Sequence, residues 1–273
     1  MLDAFKVIPG VEAVLWGPGF PGWINNLTIA ENCDRRWRNF GGAMRWDFWF
    51  NNTSRHNHER AWPGFSRPGI PHPPVAVWHH ECVYKERLPT KDCERLFVCS
   101  HDDADLVFHA YANQMAYFQF AGYNRLLWHL PHALRSTSKS LPQFVSHSQR
   151  TTDILISGSI WAAYPIRQKF SKLLREHKFP AHYVVKLLTH PGYWLTPNIT
   201  KSPEFVQRQF EEYEQELRNA KIALVCSSRR NYAVRKYIEG AGAGALVLGD
   251  IPGERQEEFR SWVVEIKRND PDT

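Results

Sequence analysis

AKIALVCSSRRNYAVRKYIEGAGAGALVLGD, residues 220–250, is the stretch on which the reading of this chain turns. Residues 222–226 and 245–248 are short apolar runs of strand formers. Between them lie a polar turn, a helical segment and a Gly/Ala-rich break. Two strands buried on both faces and joined by a helix make the βαβ unit of a parallel sheet. Ligands of such sheets sit outside the carboxyl ends of the strands, where Ser227, Ser228, Arg229 and Arg230 fall. Two hydroxyls, two guanidinium groups and the start of a helix suit a phosphate. Glu239 follows about two turns into the helix, just before glycines that permit close backbone approach. The plainer alternative is an ordinary crossover with Arg229 and Arg230 as a solvated turn, because a fold does not specify a function.

After residue 152 strands and helices alternate cleanly. Residues 153–157 read as a strand closed by the turn Gly158-Ser159. Pro165 opens a helix with Ile166, Phe170, Leu173 and Leu174 on one stripe. Residues 182–188 form the next expected strand. Ser202-Pro203-Glu204 starts a helix whose buried face holds Val206, Phe210, Tyr213 and Leu217. Residues 262–266 make a last strand.

The first half is less regular. Residues 12–16, 74–79, 105–109 and 125–130 read as strands and 112–121 as a helix. The Arg-, Asn-, Trp- and Pro-dense stretch 34–73 reads as a long surface excursion, with a helix near 29–38. Residues 136–152 are polar and aperiodic, as an interdomain linker would be. The expected architecture is therefore α/β: two Rossmann-like domains, 1–135 and 153–273, with parallel sheets flanked by helices.

Composition narrows the function classes. The 273 residues, 43% hydrophobic and 23% charged, are those of a globular chain. A formal charge of +6 suits anionic ligands but falls short of a dedicated nucleic-acid binder. The five cysteines show no C-x-x-C pair or zinc spacing, so no metal is expected. With no long apolar run and no signal-peptide layout in the first twenty residues, the cytoplasm is the expected compartment.

The second half resembles the GT-B glycosyltransferases, and more narrowly the CgeB-like (spore-maturation-protein-like) relatives of the group 1 family. Carrying the resemblance are the strand and turn 153–159, Tyr164-Pro165-Ile166-Arg167, His190-Pro191-Gly192-Tyr193 and residues 220–250 with Arg235-Lys236-Tyr237-Ile238-Glu239. Upstream, Trp16-Gly17-Pro18-Gly19 and Leu130-Pro131-His132 resemble the glycine loop of the family's N-domain and the segment leaving it. The resemblance implies transfer of a sugar from a nucleoside-diphosphate sugar, with no cofactor, to an acceptor held by the first domain. It implies that Glu239 accepts from the donor ribose, and that Arg167, Ser227, Ser228 and Arg229 face the diphosphate. His190 is a further donor contact, Gly17 and Gly19 belong to the acceptor-side loop, and His132 is the candidate base for an inverting reaction. Retaining relatives carry a glutamate eight positions before the ribose carboxylate. Here that position is Asn231, which is counted among the donor-binding residues with its carboxylate missing. The family pattern also implies a chain short at both ends.

Lack of an Asp-x-Asp motif at a strand end agrees with metal-independent transfer, and no G-x-S-x-G or Walker loop occurs. Two other classes stay open. One is a non-catalytic, GT-B-derived protein that binds a nucleotide sugar or a partner. The other is a nucleic-acid binder using the Arg/aromatic mixture of residues 35–62, which steep salt dependence would reveal.

Overall fold

The computed structural model describes residues 9, 31–32, 49–53, 74–79, 104–113, 115, 119, 126–133, 145–189 and 203–267. The chain divides into two compact units, Met1–Pro131 and His132–Thr273. Each is built on a parallel sheet.

In the first unit β1 (Trp49–Thr53), β2 (Val75–His79), β3 (Leu106–His109) and β4 (Leu126–His129) pair in the order β1-β2-β3-β4. Val75, Ala76, Val77 and Val107 are buried, as expected for inner strands of a parallel sheet. Asp105 fastens the start of β2: its carboxylate accepts from the Val75 amide at 2.8 Å and its own amide donates to the Val75 carbonyl at 2.9 Å. One expectation is corrected here. β1 lies inside the stretch read as a surface excursion. Asn51 and Asn52 are poor strand formers by themselves, yet WFNNT pairs along its whole length with β2, and pairing overrides intrinsic preference. Residues 112–113, 115 and 119 are helical, as are 31 and 32. The strand expected at 12–16 lies outside the described residues.

The second unit carries the order β6-β5-β7-β8-β9. Here β5 is Thr152–Gly158, β6 Val185–Thr189, β7 Ala220–Leu224, β8 Leu246–Gly249 and β9 Val263–Glu265, all parallel. Helix α1 (Pro165–Arg175) follows β5, α2 (Pro203–Asn219) precedes β7, α3 (Lys236–Gly242) joins β7 to β8, and α4 (Gln256–Arg260) precedes β9. This is the expected α/β class with helices flanking a parallel sheet.

Local chemistry explains the bounds. Pro165 sits in the first turn of α1, where its missing N–H costs nothing. The helix closes with His177 at φ 53°, whose amide donates to Leu174 O while Lys178 donates to Leu173 O at 3.0 Å. Strand β6 begins three residues later than expected because Tyr183 donates to Pro180 O and keeps residues 180–183 in a turn. In α2, Leu217 is buried and Tyr213 packs on the core, whereas Phe210 is exposed, contrary to its expected place on the buried face. The Gly/Ala-rich run has a packing cause. Leu155, Leu217, Ala220, Ala223, Ala243 and Ala245 form one buried cluster, and a Cβ on Gly240 would stand 3.1 Å from Ala223 and 3.2 Å from Val247. Small residues let α3 lie directly on β7 and β8.

The end of the expected linker is anchored on this unit. Arg150 is buried and donates to three carbonyls: Val145 at 3.0 Å, Ala220 at 2.6 Å and Ala243 at 2.9 Å. It thereby joins the approach to β5, the start of β7 and the end of α3.

Candidate functional site

Counted along the second unit, the strand order is 2-1-3-4-5. The chain leaves β5 to one side for β6 and returns on the other side as β7, so the direction of winding reverses between β5 and β7. The carboxyl ends of those two strands are where open α/β sheets bind ligands.

Gly158 ends β5 with φ 93°, a conformation that an L side chain rarely adopts. Its bare face is occupied by two cations. A Cβ there would lie 2.7 Å from Nη1 of Arg167, 2.6 Å from Cε of Lys236 and 3.5 Å from Nζ of Lys236. Laid end to end, 3.5 and 2.7 Å put the two nitrogens no more than 6.2 Å apart. Arg167, in the first turn of α1, is only 2% exposed. Its Nη1 donates to Ser157 O at 3.3 Å, its guanidinium stacks 3.7 Å from the centroid of Tyr164, and its buried Nε has no hydrogen-bond partner among the described residues. Lys236 opens α3, with Nζ 4.1 Å from the ring centroid of Tyr213. Burial lowers its pKa from 10.5 to about 8; Arg167 and Arg235 push the same way, and Glu239 opposes them.

Glu239 is held from two sides. Arg235 Nε lies 2.7 Å from Oε1, and the Tyr213 hydroxyl donates to Oε2 at 2.8 Å. Burial, reinforced by Glu239, raises the Tyr213 pKa well above its usual value, so the phenol stays protonated and keeps donating. Arg235 therefore pairs with this carboxylate, Lys236 feels its charge, and Arg167 stands beside Lys236.

The loop after β7 turns its polar groups inward. Ser227 donates its amide to Asp250 Oδ1 at 2.8 Å and its hydroxyl to Oδ2 at 2.6 Å. The Tyr237 hydroxyl reaches the carbonyl of Asp250 at 2.6 Å. Ser228, at φ 68°, accepts from the Arg230 amide with Oγ. Asn231, at φ 59°, is exposed; its amide donates to Ser228 O and its carbonyl accepts from Gly253 at 2.8 Å. Arg229 is exposed, and its amide donates 2.8 Å to Ala163 O, bonding the loop after β7 to the loop after β5. Burial, and then Asp250, raises the Cys226 thiol, leaving it protonated.

Of the residues singled out from sequence, Arg167 and Glu239 stand with Lys236, Arg235 and Tyr213. Ser227, Ser228, Arg229 and Asn231 form the neighbouring loop, and Asp250 takes both the hydroxyl and the amide of Ser227. His132 opens the second unit, half-buried. Gly17, Gly19 and His190 lie outside the described residues. Lys236, Arg235, Tyr213 and Asp250 were not among the expected site residues, although the spacing of Arg235 and Glu239, four apart, marks an ion pair on one helix face. In the first unit His79, His109 and His129 occupy paired positions at the carboxyl ends of adjacent strands. His109 Nδ1 accepts from the Tyr111 amide at 3.3 Å. Among the described residues no group of three or more His, Cys, Asp or Glu is placed to hold a metal, and no helix is long and apolar enough to cross a membrane.

No protein-family model matches the chain, and no curated protein matches it. Among the solved structures with distant similarity are two from pneumococcal proteins. The first, of accessory secretory proteins 1, 2 and 3 in Streptococcus pneumoniae, is 12% identical at a TM-score of 0.42, covering 88% of this chain and 47% of that one. The second, the pneumococcal O-GlcNAc transferase GtfA in complex with UDP and GlcNAc, is 14% identical at a TM-score of 0.38, covering 71% and 42%. The chain spans less than half the length of either. Likeness this distant leaves the site to be argued from its own residues.

Proposed function

We propose that this chain is a metal-independent glycosyltransferase that moves a sugar from a nucleoside-diphosphate sugar to an acceptor. The observation that carries the reading is the convergence of Arg167 and Lys236 across the bare face of Gly158, at the carboxyl end of β5. Two like charges no more than 6.2 Å apart repel by on the order of 3 kcal/mol at an effective dielectric near 20. Among the described residues neither has a carboxylate in ion-pair contact. A diphosphate between them relieves that repulsion and satisfies the buried guanidinium.

The same geometry serves transfer. As the bond from the anomeric carbon to the diphosphate breaks, negative charge grows on the leaving oxygens. Arg167 and Lys236, already in place, stabilise it. Glu239 is assigned to the ribose: Oε2 accepts from the Tyr213 hydroxyl, Oε1 lies in ion-pair contact with Arg235, and both keep a lone pair for a sugar hydroxyl. His132 is the assigned base for the acceptor hydroxyl, and the loop of Gly17 and Gly19 the acceptor side.

Thermal-shift titration with UDP, GDP, ADP and TDP tests the donor site. Saturation at a hundred times the dissociation constant stabilises by about 2.7 kcal/mol. Arg167→Ala and Glu239→Ala are expected to abolish the shift, and sugar transfer from the matching nucleotide sugar to fall with it. A cooperatively melting protein that responds to none of the four overturns the reading. A second reading, a nucleotide-sugar-binding protein without catalysis, is favoured by Asn231 at the position of the missing carboxylate. Binding that Arg167→Ala abolishes, with neither transfer nor donor hydrolysis in the wild type, selects it.

A further inference from the structure

The loop between β5 and α1 carries a surface that the cation pair does not explain. Trp161 is 53% exposed although one ring, Tyr164, links it to the most buried guanidinium of the site. Its ring meets Tyr164 edge-on, with centroids 6.3 Å apart and planes at 80°. Tyr164 in turn lies face-on to Arg167, 3.7 Å from its guanidinium carbon. Exposure falls along this row from 53% at Trp161 to 9% at Tyr164 and 2% at Arg167. End to end, 6.3 and 3.7 Å bound the distance from indole to guanidinium at 10.0 Å.

The loop is also held in place. The Tyr164 amide donates to Trp161 O at 2.9 Å, closing a turn, and Ala163 O accepts from Arg229 in the loop after β7. An aromatic side chain with few rotatable bonds on a fastened turn stacks on a ligand with little ordering cost. An exposed, isolated indole needs no explanation by itself. This one is coupled through a second ring to a buried cation whose Nε has no partner among the described residues.

We propose that Trp161 is the stacking platform for the base of the bound nucleotide. The inference rests on the donor-site reading above and assigns its second half: phosphates against Arg167 and Lys236, the flat base against the indole, and the ribose spanning the distance between. Stacking is tolerant of base identity because every base presents a π-face. Trp161 therefore supplies affinity, and discrimination among bases comes from elsewhere.

The test is calorimetric titration of wild type, Trp161→Ala and Trp161→Phe with inorganic pyrophosphate, with the nucleoside diphosphate that binds best, and with its nucleotide sugar. Because the side chain is more than half exposed, both variants are expected to keep the wild-type melting temperature. Trp161→Ala is expected to weaken the nucleoside diphosphate about 5- to 150-fold, the range that base–aromatic stacking gives on alanine substitution. Pyrophosphate affinity is expected to stay within twofold, and Trp161→Phe to recover most of the loss. Equal weakening of pyrophosphate and nucleotide overturns the proposal, because the loop then acts on the phosphates. So does an unchanged nucleoside diphosphate, or a loss confined to the nucleotide sugar, which would place the hexose on the indole. If wild type binds neither pyrophosphate nor nucleotide, the donor-site reading fails first and takes this assignment with it.

Discussion

Gly158→Ala tests the reasoning about the site most directly, because one added carbon acts on both cations at once. The new Cβ would stand 2.6 Å from Lys236 Cε and 2.7 Å from Arg167 Nη1, closer than real Cβ contacts, so both side chains must move. They are flexible at those ends and swing aside, but Arg167 then gives up its 3.3 Å bond to Ser157 O. A bond from a charged donor is worth about 1.5–3 kcal/mol. Alanine at a left-handed φ adds about 1–2 kcal/mol of backbone strain. Together they predict a loss of roughly 3–5 kcal/mol, at roughly 2–4 °C of melting temperature per kcal/mol for a chain near this size. The decisive number is affinity. With both cations displaced, pyrophosphate or nucleoside diphosphate is expected to bind about 10- to 100-fold more weakly, the equivalent of one charge-assisted hydrogen bond. Gly244→Ala is the control: φ there is also positive, at 71°, but the residue is exposed, so it is expected to lose stability and keep affinity. Wild-type affinity in Gly158→Ala, measured by calorimetry on a protein that melts earlier, would show that the cations do not meet the ligand across this glycine.

Lys236 makes the site pH-sensitive. Its pKa is lowered in the fold from 10.5 to about 8, so between those values the unfolded chain binds more protons and stability rises with pH. The rise is expected to be lost in Lys236→Met, which removes the cost of burying the charge and is more stable than wild type at pH 7. Anion binding, which needs the charged amine, is expected to weaken above about pH 8 and to take up protons near it, measurable as a buffer-dependent binding enthalpy. Arg150→Met leaves the carbonyls of Val145, Ala220 and Ala243 without their shared donor and is expected to cost about 2–5 kcal/mol; a denaturant midpoint equal to wild type would refute that role. His177→Val puts a β-branched residue at φ 53° and is expected to cost about 1–2 kcal/mol, whereas His177→Gly is expected to be neutral or stabilising in the same melts.

The second unit was readable because strands inside a parallel sheet are covered on both faces. Residues 154–156 and 222–226 are therefore unbroken apolar runs, and α1 carries both a first-turn proline and a 3.6-residue stripe. The first unit was less so at β1, where strand identity comes from pairing with β2 rather than from its own side-chain preferences. Phe210 shows the converse: its spacing placed it on the stripe of α2, yet it is exposed, while Tyr213 and Leu217 on the same helix meet the core.

The site was half readable, and the dividing line is physical. Arg167 and Glu239 stand out by residue type and place in a motif, which local sequence shows. Lys236 does not, since a lysine opening a helix is ordinarily solvated. It becomes a site residue only because the bare face of Gly240 lets α3 lie down on Ala223 and Val247, which carries the lysine side chain over Gly158, 78 positions away in the chain. Ser227 is the opposite case. Its hydroxyl sits where a phosphate ligand belongs by sequence, yet Asp250, brought alongside by β7–β8 pairing, takes it at 2.6 Å. Were Ser227 nonetheless a phosphate ligand, Ser227→Ala would weaken pyrophosphate binding. Its commitment to Asp250 predicts instead a loss of about 1–3 kcal/mol in stability with affinity unchanged, because the alanine takes a short hydrogen bond from a buried carboxylate and removes nothing from the cation pair.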